Sequence, residues 1–389
     1  MKKRSAKEKR SANRENLSLN TLQRNTKNTP GQSRVTILPN FAKKFNPMNK
    51  PAGTLLFFLI ATLWVITSCK KEDNLPTQTV SVAILAQGTT FDDLSFLQSC
   101  KTGLERAKKD FSFETAYNID TTTNRYTERL EYYGSLNFDL IIAVGYMWNE
   151  AVVTAAKKHP GSRFILVDAQ LSEPQPNAVS ILFDVDEVAY PLGFLSAWWA
   201  SSHDRQNPAV GFVGALEIPA IRQFTEPFLN GVERFNQKYG KSVTHHGAYA
   251  GSFIDSGLGR HLADSLITLG SDVMFGVGGQ TGNGVLLQAK ERGMTGIGVD
   301  VDQYYSFPEV KDILVSSAMK SLDNAIYAVI KSFINSTFKG GSIYTGNLEN
   351  QGVQLAPWHD YNAQIPDSVK LAVDHIKAGI IDGSISTGW

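Results

Sequence analysis

Acidic side chains stand at the ends of apolar runs along this chain. Asp92 and Asp93 follow the run 80–86, Asp168 closes the run 164–169, and Asp300-Val301-Asp302 closes the run that begins at 295. Phe183-Asp184 and Glu217 hold comparable places. Gly145-Tyr146 and Gly279-Gln280-Thr281-Gly282 follow two further runs, and Lys320 follows the last. A carboxylate accepts two hydrogen bonds from a vicinal diol, an aromatic face covers a planar ring, and a glycine lets backbone amides approach a ligand. Such a set suits holding a small hydroxylated molecule better than transforming one. There is no Gly-x-Ser-x-Gly, His-Glu-x-x-His or Cys-x-x-Cys, and the glycines of 278–284 have neither dinucleotide spacing nor the Gly-Lys-Ser/Thr of a phosphate loop. His245 and His246 alternate across a strand and have no third ligand at useful spacing, so neither a metal nor a cofactor is expected.

These residues need a frame that brings distant strand ends together. Short apolar, β-branched runs alternate with helical segments: 80–86, 113–119, 140–145, 164–169 and 178–183, then 209–216, 243–250, 272–279, 295–300 and 313–319. Helical patterns fall between them, at 94–109, 150–158, 218–239, 258–269, 285–292 and 322–338. Continuous apolar strands alternating with helices predict parallel sheets covered on both faces, and two sets of five predict two α/β lobes of doubly wound parallel sheet. The polar stretch 201–208, ending in Pro208, reads as the crossover between them. In such sheets ligands bind beyond the carboxyl ends of the strands, where the acids stand. One of Asp92 and Asp93 is expected to cap the following helix, leaving the other free for ligand. Cys100 falls in a helical stretch and reads as a small buried hydrophobe.

The first 79 residues read differently. Residues 53–68 are apolar and uncharged, short for a membrane span and long enough for a signal-peptide core. They end in Ile66-Thr67-Ser68-Cys69, a small residue before a thiol, which is the pattern of a lipobox with Cys69 as lipid acceptor. Lys70-Lys71 follow directly. Residues 1–47 carry twelve Lys or Arg against two acids and show no apolar periodicity. Met48 reads as the true start, and the stretch before it as a disordered extension that is not translated. From Cys69 onward the chain has 25 basic and 35 acidic residues, so its body is acidic and nucleic acid is not an expected partner. The expected divisions are an extension at 1–47, a leader at 48–68 and a tether at 69–79. A first lobe follows at 80–204, a second at 205–316, and 317–389 returns to the first.

Taken together, these segments resemble the basic membrane protein family, purine-nucleoside receptor lipoproteins with a type I periplasmic-binding fold. The matching pieces, in order, are Phe91-Asp92-Asp93-Leu94-Ser95-Phe96, Phe164 to Asp168, Val210 to Gly214 with Ile218-Pro219, Gly278 to Gly282, Gly298 to Gln303, and Ser316 to Lys320. The resemblance covers roughly Val80 to Pro357. It implies two lobes joined by a hinge that closes on a nucleoside, a lipid anchor in the cell envelope, and an ABC-type permease as partner. It also implies that Asp92 or Asp93 and Phe96 address the base while Asp300 and Lys320 hold the ribose. Tyr146, Asp168, Phe224 and Gly279 are further candidates. Where the family continues Ser-Phe with Asn, this chain has Leu97, which removes a polar group from the edge of the site. The alternatives are a sugar or other small-solute binder, a signalling receptor of the same fold, and more distantly a nucleoside hydrolase. Asp300-Val301-Asp302 echoes the aspartate cluster of the last but is followed by Gln-Tyr-Tyr, where a calcium site wants more oxygen ligands.

Overall fold

The computed structural model describes residues 79–121, 125–203 and 207–389; the leader, Cys69 and the basic extension lie outside them. The first sheet takes β1 (Ser81–Gln87), β2 (Glu114–Asp120), β3 (Leu140–Val144), β4 (Arg163–Val167) and β5 (Ala178–Phe183). Between them run α1 (Phe96–Phe111), α2 (Tyr126–Ser135) and α3 (Asn149–Lys158). After α4 (Asp186–Ser201) the pattern repeats as β6 (Ala209–Gly214), α5 (Pro219–Tyr239), β7 (Thr244–Tyr249), α6 (Ser256–Thr268), β8 (Ser271–Val277), α7 (Gly279–Glu291), β9 (Thr295–Asp300), α8 (Gln303–Ser306) and β10 (Leu314–Lys320). The chain ends with α9 (Leu322–Ile334), β11 (Ile343–Gly346), β12 (Val353–Leu355) and α10 (Asp367–Ile381).

The strand orders are β11-β5-β4-β3-β1-β2 and β12-β10-β9-β8-β6-β7. The two sheets therefore have one topology, with β1 to β5 matched by β6 to β10. All pairings among these ten strands are parallel, as continuous apolar runs such as the fully buried Leu-Ile-Ile-Ala-Val of β3 require. Only the added edge strands differ: β11 joins β5 in parallel, whereas β12 joins β10 antiparallel.

The passage between lobes corrects the expected division. Helix α4 follows β5 in sequence but packs on α5 and on β6, β8, β10 and β12 of the second sheet. The crossover is thus at Asp184-Val185, not at 201–208. Likewise β10 belongs whole to the second sheet, so the boundary expected at 316 falls inside a strand. Helix α9 then returns to pack on α1, β11 stays with the first sheet, and β12 and α10 go back to the second lobe. The three crossovers lie side by side. Asp184 N donates to Gly346 O at 2.8 Å, Ser321 N to Gly352 O at 2.8 Å, and Leu348 N to the Glu187 carboxylate at 2.6 Å.

Helices α4 and α5 touch at their backbones. A Cβ on Gly193 would lie 1.8 Å from the Phe228 carbonyl oxygen, and one on Gly231 would lie 1.9 Å from that of Tyr190. Only glycine fits at this crossing, which locks α4 to the second lobe. Cys100 is fully buried in α1, as expected.

Candidate ligand-binding cleft

The carboxyl ends of β1, β3 and β4 face those of β6, β8, β9 and β10 across a cavity of about 520 Å³. Eight of the nine candidate ligand residues line it: Asp93, Phe96, Tyr146, Asp168, Phe224, Gly279, Asp300 and Lys320. Asp92 does not. It is exposed and pairs with Lys101 at 2.9 Å. The carboxylate that caps is Asp93, which accepts from the backbone amides of Ser95, Leu97 and Gln98 at 3.0 Å each. The acid that does not cap was expected to meet ligand, but a helix start that faces the cavity turns its capping side chain inward and the preceding one to solvent. Three of the four acceptor positions of Asp93 are used, leaving one for a donor in the cavity. Burial, working against these amide bonds, holds its pKa above the ordinary value.

The centre of the site is a buried cation between two acids. Lys320 Nζ lies 2.8 Å from both oxygens of Asp168 and 4.0 Å from Asp300 Oδ1. The rings of Phe224, Phe96 and Phe183 surround it at 5.0, 5.4 and 5.9 Å, close enough to attract the ammonium through their faces. As the last residue of β10, the lysine points along the strand end into the cleft. Ser95 Oγ donates to Asp300 Oδ2 at 2.8 Å. Burial pushes the Asp300 carboxyl up to about 6, against the opposing pull of Lys320 and Ser95 and with Asp168 and Asp93 adding to the rise. Asp168 and Asp300 share a left-handed backbone, φ 63° and 66°. This conformation is uncommon outside glycine but tolerated by Asp, and it ends each strand abruptly with a carboxylate at the turn.

Asp302, two residues on, lies apart from the cavity lining. Its side chain accepts from Tyr304 N at the start of α8 and pairs with His359 at 2.8 Å. Trp148 is fully buried core, and Gln280 reaches across the lobes to Thr89 Oγ1 at 2.8 Å.

Several site residues were not among the expected ligand contacts, and Asn283, Ser306, Ile221, Phe253 and Tyr126 carry no signal in the sequence. Gln303 accepts from Val299 N at 2.9 Å and donates to Asn283 Oδ1 at 3.0 Å, and Asn283 donates to Asp93 O at 3.0 Å. This relay, with Ser95 to Asp300 and Ser306 Oγ to Leu94 O at 2.8 Å, holds the lobes together across the cleft. Ile218, Ile221 and Phe253 add an apolar wall from the second lobe, and Tyr126 adds an aromatic one from the first.

Two lobes of one topology that meet at their strand ends over a largely apolar cavity with a charged cluster define a solute-binding protein. Residues 79–382 match the family described as Bmp, ABC transporter substrate-binding protein PnrA-like, and the chain belongs to that family. An uncharacterised lipoprotein of Pyrococcus horikoshii is 32% identical over 280 residues, covering 70% of this chain and 68% of the relative. An ABC transporter nucleoside-binding protein of Lactococcus lactis is 27% identical over 362 residues, covering 87% and 99%. The crystal structure of an ABC transporter solute-binding protein from Aeropyrum pernix superposes with a TM-score of 0.74 at 26% identity, covering 79% of this chain and 92% of that one. The protein is thus a substrate-binding component of an ABC transporter and not an enzyme. Among the described residues, no helix is long and apolar enough to cross a membrane.

Proposed function

We propose that this protein captures a nucleoside, with a purine base, between its lobes and presents the closed complex to an ABC-type permease. The observation that carries the reading is Lys320 set between Asp168 and Asp300 beside the rings of Phe96 and Phe224. The open Oδ1 of Asp300 and the Lys320 ammonium suit a pair of ribose hydroxyls, one donating and one accepting. The two phenylalanines suit a flat base, and the spare acceptor position of Asp93 suits a ring N–H. Three acids against one lysine disfavour any phosphate, so a nucleoside fits where a nucleotide does not. Calorimetric titration with inosine, guanosine, cytidine and free ribose tests this. Saturable binding of the purine nucleosides, weaker for cytidine, is the expected result; binding of ribose or another sugar with no response to any nucleoside would refute it.

Anchoring is part of the same proposal. Cys69 follows Ser68 at the end of an apolar leader, and the Pyrococcus relative is named a lipoprotein. A diacylated, N-acylated cysteine carries enough chain for stable membrane attachment. Labelled palmitate is expected to enter the native protein and not Cys69→Ala; equal labelling of both would remove the anchor from the proposal.

A further inference from the structure

The cavity has two chemically different ends. All of its charged lining residues stand at one, where Asp93, Asp168, Asp300 and Lys320 gather. At the other, the first lobe supplies Gln87 from the end of β1, Tyr126 from the start of α2, and Tyr146 and Met147 from the turn after β3. Strand order sets Gln87 apart from Asp168, and Asp93, which follows the same β1, turns toward Asp300 with the start of α1. β1 lies two places from β4, so Gln87 is displaced roughly 10 Å along the sheet from Asp168.

The neutral end is firmly built. The Tyr126 ring meets Trp148 edge-on with centroids 4.8 Å apart, and Trp148 is itself fully buried. The Tyr126 hydroxyl donates to Gln87 Oε1 at 2.8 Å. Ring and hydroxyl are therefore both fixed before any ligand arrives. Burial, and then the neighbouring Tyr146, push the Tyr126 phenol above its ordinary value, so the group stays a neutral donor. With its carbonyl oxygen taken, Gln87 keeps its amide NH₂ as a donor to a ligand acceptor. At the packing density of protein interiors, a nucleoside fills roughly half of the 520 Å³ available.

We infer that this neutral end is a second subsite, which takes a bulky uncharged apolar or aromatic substituent carried on the base of the nucleoside. The inference rests on the nucleoside reading and adds a specificity that reading does not contain. A plain nucleoside occupies the charged end and leaves the Tyr126–Tyr146 end to water. A base with an aryl or alkyl group on its exocyclic nitrogen displaces that water and lays the group against fixed rings.

The experiment compares adenosine with N6-benzyladenosine by calorimetry on the full chain, then repeats both titrations on Tyr126→Ala and Tyr126→Phe. On the unaltered protein the benzyl compound is expected to bind at least as tightly as adenosine. Tyr126→Ala should weaken the benzyl compound at least fivefold more than it weakens adenosine, and Tyr126→Phe, which keeps the ring, should hold the benzyl affinity. If adenosine binds and the benzyl compound binds tenfold worse or not at all, the subsite does not exist and the nucleoside reading stands. If Tyr126→Ala weakens both ligands alike, the inference also falls. Should neither compound bind, the nucleoside reading itself fails and takes the subsite with it. The comparison on the unaltered protein decides the matter even if Tyr126→Ala proves too unstable to titrate.

Discussion

Asp168 and Asp300 occupy the same place in the two lobes. Each follows or ends the third strand in its sheet's order, β4 in one and β9 in the other, and each has the left-handed backbone near φ 65°. Their surroundings differ. Asp168 keeps both oxygens on Lys320 and its carboxyl is partly open to the cleft, whereas Asp300 is buried, takes one hydroxyl from Ser95 and stands 4.0 Å from the lysine. The fold thus supplies one geometry twice, and the neighbouring residues give it two duties. Asp168 neutralises the buried cation. Asp300 keeps an acceptor available.

That division makes distinct predictions. Asp168→Asn should act on folding first, because a buried lysine loses its charged partner. We expect about 2–3 kcal/mol of lost stability in denaturant unfolding, moderated because Asp300 is near enough to take over part of the pairing. Asp300→Asn should act on binding. Charged hydrogen bonds to hydroxyls contribute about 1.5–3 kcal/mol each, so calorimetry should show at least a tenfold loss of nucleoside affinity with little change in the unligated melting temperature. If Asp300→Asn is the variant that unfolds, the assignment of duties is reversed.

The smallest effect expected is one of pH. With a folded value of about 6 against an ordinary 3.8, Asp300 holds a proton in the native state that the unfolded chain releases earlier. Its contribution to unligated stability is therefore complete below about pH 4 and lost as pH rises through 6. Ligand hydroxyls prefer the ionised form, so affinity should rise a few-fold between about pH 5 and 7. A melting and binding series on the parent and on Asp300→Asn should show both trends in the first and neither in the second. Equal slopes would place the titration elsewhere.

The eight inner strands were legible because strands covered on both faces are written as unbroken apolar runs, whereas the half-buried edge strands β2 and β7 were found by their place in the alternation with helices. Helix α7 begins at Gly279, six residues before its expected start, because Gly279 to Gly284 carries no apolar periodicity. The edge strands β11 and β12 are too short to register. The crossover was misplaced for a different reason. Nearly every residue of α4 is buried, so its sequence does not say which sheet it covers, and the polar stretch after it resembles a linker. In the site, strand-end acids and aromatics were visible by position, but the choice between Asp92 and Asp93 was not, since adjacent residues share the same local pattern. The bond from Ser95 to Asp300 joins positions 205 apart. No local period records such a contact; only the folded topology makes it.

The three side-by-side crossovers have a mechanical consequence. A single tether would let one lobe swivel, slide and tilt against the other, whereas three short spans in a row, pinned by the bonds at Asp184, Ser321 and Leu348, resist torsion and shear and leave bending across the row as the soft coordinate. The joint has in effect one degree of freedom. In the closure on ligand proposed above, Ser95 would return to Asp300, Asn283 to the Asp93 carbonyl and Gln280 to Thr89 in the same alignment, without a search among docking poses.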